Sequence, residues 1–294
     1  FALGRPTDYH HNFDIRYNLP ISKIPILSWV NTSVNYDAGY DWRSSSLAAE
    51  DFGNTIQNNN SIRVNTQFNL TSLYNKVPLL KKLLSSQNVQ SRSRTKSRNE
   101  VSNNKSDNTK NTNKILKSIA KSIFSLKNVS FSYTETNGTL LPGFLPEADF
   151  FGLNSPLSNS APTLGFVLGS QNDIRIPAAN NNWITSNPNL NNLYTNTFSN
   201  NLNVRATVEP ISRFKIMLTA SRRYTVNENE YFRNSASASA GNPIFEHVSN
   251  SRTGNFNISF LPIKTAFVND RIDNSSSLFD DFINYRFDIA KRLT

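Results

Sequence analysis

Residues 30–41 read Val-Asn-Thr-Ser-Val-Asn-Tyr-Asp-Ala-Gly-Tyr-Asp, an unbroken alternation of apolar or β-branched residues with polar ones. A side-chain period of two is the signature of a strand with one apolar face. Val30, Thr32, Val34, Tyr36, Ala38 and Tyr40 point one way, and Asn31, Ser33, Asn35, Asp37, Gly39 and Asp41 the other. At about 3.4 Å per residue the run is roughly 40 Å long. Tilted by ~40° it climbs about 30 Å, the thickness of a bilayer's hydrocarbon layer. Strands of soluble proteins mostly run to about 5 or 6 residues, so the length predicts a strand of a transmembrane β-barrel.

The pattern recurs. Phe13, Ile15, Tyr17 and Leu19 alternate with polar residues, as do Ile62, Val64, Thr66, Phe68 and Leu70. Leu202, Val204, Ala206 and Val208 follow suit, then Phe214, Ile216, Leu218 and Ala220, then Phe256, Ile258 and Phe260, with a shorter run at Val129, Phe131 and Tyr133. A soluble sandwich with one solvated face gives the same alternation, so periodicity alone leaves both architectures open.

Composition narrows the choice. No segment approaches the ~18 to 20 consecutive apolar residues of a membrane helix, so the chain would cross a membrane only as strands of a closed barrel. The chain starts at Phe1 without a signal peptide and reads as a piece of a longer polypeptide. With 37% hydrophobic residues it would make a thin core as a soluble globule, whereas a barrel with lipid outside and a wide polar lumen needs little core. The absence of cysteine excludes disulfides, thiolate metal sites and a cysteine nucleophile.

The net charge of +10 has one address. Of the 31 basic and 21 acidic residues, the stretch from Lys81 to Lys127 takes 12 and 2, leaving 19 of each elsewhere. Its centre, 85–113, is a Ser-, Asn-, Lys- and Arg-rich insertion predicted to be disordered. A solvated loop or a contact with anionic lipid fits it better than nucleic acid, because no aromatic platform is interleaved with the basic residues.

The expected organisation is barrel strands plus a short helix over 1–84, the basic insertion over 85–113, and a short helix and strand over 114–136. A long ordered loop over 137–193, barrel strands over 194–262, and a loop with a terminal helix over 263–294 complete it. The Asn tracts, such as Asn58 to Asn60, fit turns. The loop is punctuated by Gly and Pro, and Phe144, Phe150, Phe151, Phe166 and Trp183 predict that it packs inside or across the mouth of the barrel. Trp29 and Trp42 bracket the long strand, with Tyr9 and Tyr40 near strand ends, as in an interfacial aromatic girdle. In the terminal segment, Asp280 and Asp281 near the start and Lys291 and Arg292 near the end favour a helix over 276–293.

No catalytic constellation emerges, and no cofactor or metal is expected. His10 and His11 point to opposite faces of a strand and cannot chelate one ion. His247 reads as a surface or lumen histidine, and the pairs Glu228 and Glu230, and Asp280 and Asp281, as solvated charges.

Four phrases carry a family resemblance: Leu-Pro-Ile-Ser-Lys-Ile-Pro-Ile-Leu-Ser-Trp from Leu19, Gly-Asn-Thr-Ile-Gln-Asn-Asn from Gly53, Leu-Tyr-Asn-Lys from Leu73, and Asn-Gly-Thr-Leu-Leu-Pro-Gly-Phe from Asn137. With them the chain, from about Tyr9 to its end, resembles the SprA (Sov) family, the outer-membrane translocons of the type IX secretion system in Bacteroidetes. The resemblance implies an all-β chain forming part of a very large antiparallel transmembrane β-barrel, with long loops and a few short helices. It implies a bacterial outer-membrane protein that conducts folded cargo to the cell surface by gating and without covalent chemistry. The implied partners are a PorV-like smaller barrel, a periplasmic plug protein, secreted cargo proteins and outer-membrane lipid. On that reading Asn31, Asn35, Asp37, Asn65, Asn69, Asn203 and Arg205 face the lumen, and Val30, Val34, Tyr36, Val64, Phe68, Val204 and Val208 face lipid. A TonB-dependent solute-uptake barrel and a soluble secreted β-sandwich adhesin are the competing readings.

Overall fold

The computed structural model describes residues 4–76, 125–154, 160–211, 213–235, 243–259 and 276–293. The basic insertion 85–113 and the helix expected from Lys114 lie outside the described residues. The chain divides into two units, Phe1–Ile258 and Ser259–Thr294.

The first unit is one antiparallel meander of seven strands: β1 (Asp8–Leu19), β2 (Val30–Arg43), β3 (Asn54–Asn69), β4 (Leu126–Phe144), β5 (Tyr194–Ile211), β6 (Phe214–Asn234) and β7 (Phe245–Ile258). The strands are 12 to 21 residues long. The sheet is all-β and is not closed: among the described residues, β1 and β7 each pair on one side only. A short helix, Leu70–Lys76, follows β3 and is fastened by the Tyr74 hydroxyl, which donates to the Leu126 carbonyl at 3.0 Å.

Register carries the alternation from strand to strand, because residues directly opposite in an antiparallel pair share a face. Val34 stands opposite Tyr17 and Val64, Val64 opposite Tyr133, Tyr133 opposite Leu202, and Leu202 opposite Arg222. Each alternating run of the sequence therefore lines the same face.

One boundary and one tract differ from expectation. Strand β4 continues through Asn137 to Phe144, so the long connection occupies 145–193. Pro142 lies in the last turn-ward positions of β4, where Thr55 still stands opposite it. The Asn58 to Asn60 tract is not a turn but the middle of β3, for reasons the next section supplies.

The second unit contains the helix Ser277–Leu293, with Asp280 in its first turn and Lys291 and Arg292 in its last. The charges complement the helix macrodipole. Phe279 and Phe282, three residues apart, stack with ring centroids 6.3 Å apart.

Candidate functional site

The connection 145–193 forms a strap over one end of the sheet. Its rings and aliphatic side chains meet those of the strands in a single core of Tyr40, Trp42, Ile56, Leu141, Phe144, Leu153, Phe166, Val167, Ile184, Tyr194 and Phe232. Contacts run the whole width of the sheet. Phe151 packs on His11 of β1 with centroids 5.8 Å apart, and Arg175 of the strap reaches Glu230 of β6 and His247 of β7.

Polar side chains of the strands hold the strap's backbone. The carbonyls of residues 166 to 170 each accept a bond: Phe166 and Ser170 from the Asn58 amide at 2.9 and 2.8 Å, and Val167 from His11 Nε2 at 3.2 Å. Leu168 accepts from the Tyr36 hydroxyl at 2.7 Å, and Gly169 from the Asn60 amide at 2.7 Å. The helix Leu164–Val167 is only one turn long; the Phe166 carbonyl also accepts from the Gly169 amide at 3.0 Å, while the carbonyls of 167 to 170 lie at or beyond its end and have no helical partners. Asn58 also accepts from Gln171 Nε2 at 3.1 Å, and Asn60 from Asn137 at 2.9 Å. The asparagines stand in a strand because their side chains do there what a backbone turn would otherwise do. Asn58→Ala should cost about 2 kcal/mol, since it removes a buried bond to the Phe166 carbonyl and a part-buried one to the Ser170 carbonyl. Chemical denaturation checks the figure, and hydrogen exchange should show faster exchange confined to the strap amides.

Close approach requires glycine at two strap positions. Gly152 has φ +73, and a Cβ there would meet the Tyr40 ring at 2.5 Å. Gly169 has φ +89, and a Cβ would meet the Ala38 Cβ at 2.8 Å.

The far end of the strap closes on a charged cluster. Glu230, 3% exposed, accepts from Arg175 Nη1, and its Oε1 lies 2.8 Å from His247 Nδ1. The Arg175 guanidinium also grips Asp173 through Nε at 2.9 Å and Nη2 at 2.8 Å, and lies 4.6 Å from the Tyr194 ring centroid. The Arg175 fork holds the Asp173 carboxyl below the usual carboxylate range. Glu230 is thus a buried, paired charge and not the solvated one expected. Glu228 is solvated as expected, paired at 3.2 Å with Arg252. Among the described residues no group of three or more His, Asp or Glu side chains is arranged to hold a metal. His10 bonds Asp41 on one face, while His11 faces the strap on the other.

Register sorts the predicted face residues. Asn31, Asn35, Asp37, Asn65, Asn69, Asn203 and Arg205 share one face, with Gln67, Arg63, Ser61, Ser132, Asn128, Ser221 and Ser130 as cross-strand neighbours. Val30, Val34, Tyr36, Val64, Phe68, Val204 and Val208 share the opposite face. That second face is the one the strap occupies, so the strap does not lie among the polar residues that were expected to line a lumen. Its rings required an apolar surface, and the polar face offers none.

From the strap outward the apolar face has three zones. Ala38, Tyr40 and Trp42 are 4%, 0% and 2% exposed beneath the strap. Trp42 donates to the Pro146 carbonyl at 3.0 Å, so it and Tyr40 are core residues and not girdle residues. Tyr36 is tied to the strap's inner margin. Next comes a polar seam, where Glu135 and Asn200 stand opposite each other and both bond the Tyr133 hydroxyl, at 2.5 and 2.8 Å. Beyond it lies an apolar band in which Val34, Val64, Phe68, Val204 and Val208 are half-exposed and Leu218, Phe256 and Ile258 are 47–55% exposed. Val30, at the band's far margin, is buried. Trp29 lies beside it, its ring 5.7 Å from that of Phe68. Phe144, at the end of β4, and Phe166 in the strap are buried as expected, whereas Phe150 and Phe151 are 86% and 50% exposed.

The polar face carries amides, hydroxyls and balanced charges. Asn31, Gln67, Asn128, Ser130 and Arg205 line a shallow trough of about 340 Å³ on it. No protein-family model matches the chain, and no curated protein matches it.

Proposed function

We propose that this chain is a segment of the wall of a very large outer-membrane β-barrel that conducts folded proteins to the cell surface, with the Asn-rich face toward the lumen and the apolar band toward lipid. One observation carries the wall: seven consecutive antiparallel strands turn a polar face one way and an apolar band the other, and among the described residues both edges of the sheet are open to further strands. In lipid such a sheet is viable only as part of a closed barrel. Exposed Leu218, Phe256 and Ile258 favour lipid over water as the band's solvent and weigh against a soluble adhesin. The export of folded cargo rests on the resemblance to the SprA family. An amide- and hydroxyl-lined face suits it, since a folded passenger finds little apolar surface to adhere to.

Purification of the full-length protein from native outer membranes in mild detergent, with sizing and mass spectrometry of the bound proteins, tests the reading. The expected result is a very large β-rich assembly containing a smaller barrel, a plug protein and secreted passengers. A soluble monomer, or a barrel whose partner is a TonB system, would overturn it.

A further inference from the structure

We propose that Arg222 is a binding site for the phosphate of an anionic lipid headgroup, at the margin where the apolar band gives way to the seam and the strap. The inference rests on the reading of the apolar face as lipid-facing, and it names a ligand for that face.

Arg222 lies on the apolar face by register, between Leu202 and Ile258. Along β6 the same face continues as Ala220, Leu218 and Ile216, with no charge, and in the other direction as Tyr224 and Val226. The next row toward the strap is that of Glu135 and Asn200. Arg222 therefore marks the edge of the band. An arginine on a lipid-facing strand is costly at mid-depth and nearly free at the interface, where its long side chain reaches headgroups.

The guanidinium is available. Among the described residues Arg222 forms no ion pair, whereas Arg252 on the neighbouring strand is paired with Glu228. The carboxylate closest in the pattern, Glu135, is engaged by the Tyr133 hydroxyl and the Asn137 amide. Arg222 instead lies 5.7 Å from the Phe256 ring centroid. That contact sets the guanidinium beside an aromatic ring, and among the described residues its N–H groups make no hydrogen bond, so they are open to a phosphate. The apolar residues below it would receive the acyl chains of the same lipid.

The test reconstitutes the full-length protein in phosphatidylcholine vesicles containing trace spin-labelled phosphatidylglycerol or spin-labelled phosphatidylcholine. Electron paramagnetic resonance then reads the motionally restricted fraction of each probe. The native protein should hold the anionic probe more tightly than the neutral one at low salt. Arg222→Gln should reduce that preference about fivefold, the effect of one basic residue at an anionic surface, and Arg252→Gln should leave it unchanged. Replacing chloride by inorganic phosphate at equal ionic strength should not displace the lipid. Restricted lipid without an anionic preference, a preference unaltered by Arg222→Gln, or displacement by free phosphate would overturn the site while leaving the wall intact. The absence of restricted lipid of either kind would overturn the lipid-facing reading itself, and the site with it.

Discussion

Replacing Arg175 by alanine should destabilise the sheet-and-strap unit by about 3 to 5 kcal/mol, because it leaves a buried carboxylate without its cation. Glu230 is 3% exposed and has Arg175 as its strongest partner; its Oε2 has no hydrogen-bond partner. His247, 54% exposed, can make one hydrogen bond to Oε1 but cannot replace a fork that serves Glu230 and Asp173 together. Arg175→Lys should therefore recover little, since an ammonium presents a single point charge where two carboxylates are bridged. Chemical unfolding measures the loss, and limited proteolysis should locate it at the strap. A variant that unfolds like the native protein would show that water already compensates Glu230. Acid should act in the same direction. The Asp173 carboxyl is held below the ordinary range, so its contribution is complete above the usual carboxylate range and is lost as the pH falls through its lowered value.

Arginine at Val204, one row into the band from Arg222, should cost about 1 to 2 kcal/mol in a bilayer, between the ~0 to 1 of the interface and the ~2 to 4 of the midplane for a basic residue on a lipid-facing strand. Its chain neighbour provides the contrast. Asn203 is exposed on the opposite face between Ser132 and Ser221, and Asn203→Arg should be tolerated. Asn35 is a poorer control, being buried between Arg16 and Arg63, where a third arginine would meet two others. The comparison separates lipid from water, because Val204 is only half-buried and a surface change in a soluble sheet usually lies within about 0.5 kcal/mol. Folding into vesicles, followed by denaturant titration, gives both values. Equal tolerance at the two positions would place water on both faces.

The strands, their shared faces and the terminal helix were legible because period two and period 3.6 are local properties of the chain. What local periodicity cannot report is which length of a strand another segment covers. Val30 to Trp42 reads as one uniform stripe, yet its second half lies under a strap contributed by residues more than 100 positions later. The stretch clear of the strap, Val30 to Val34, extends only about 14 Å along the strand, so the full run overstates the lipid-facing height. Asn58 to Asn60 carried a turn signal for a sound reason, since Asn side chains mimic backbone partners. Here that ability serves the backbone of a distant segment. Glu230 looked solvated because its cation lies 55 residues away. A trace of the strap was visible in its density of rings, but rings alone do not say which face receives them.

The meander has a consequence for the distribution of charge. In an antiparallel sheet successive connections leave from alternate ends, so the segment between β3 and β4 and the strap between β4 and β5 depart in opposite directions. The first contains every residue of the molecule's surplus positive charge, and the second contains the Arg175–Glu230 clamp. In a membrane wall these two segments would therefore lie in different compartments. If the sheet is such a wall, its charge is distributed unequally between the two membrane surfaces, and one accessible position in the strap would orient all seven strands.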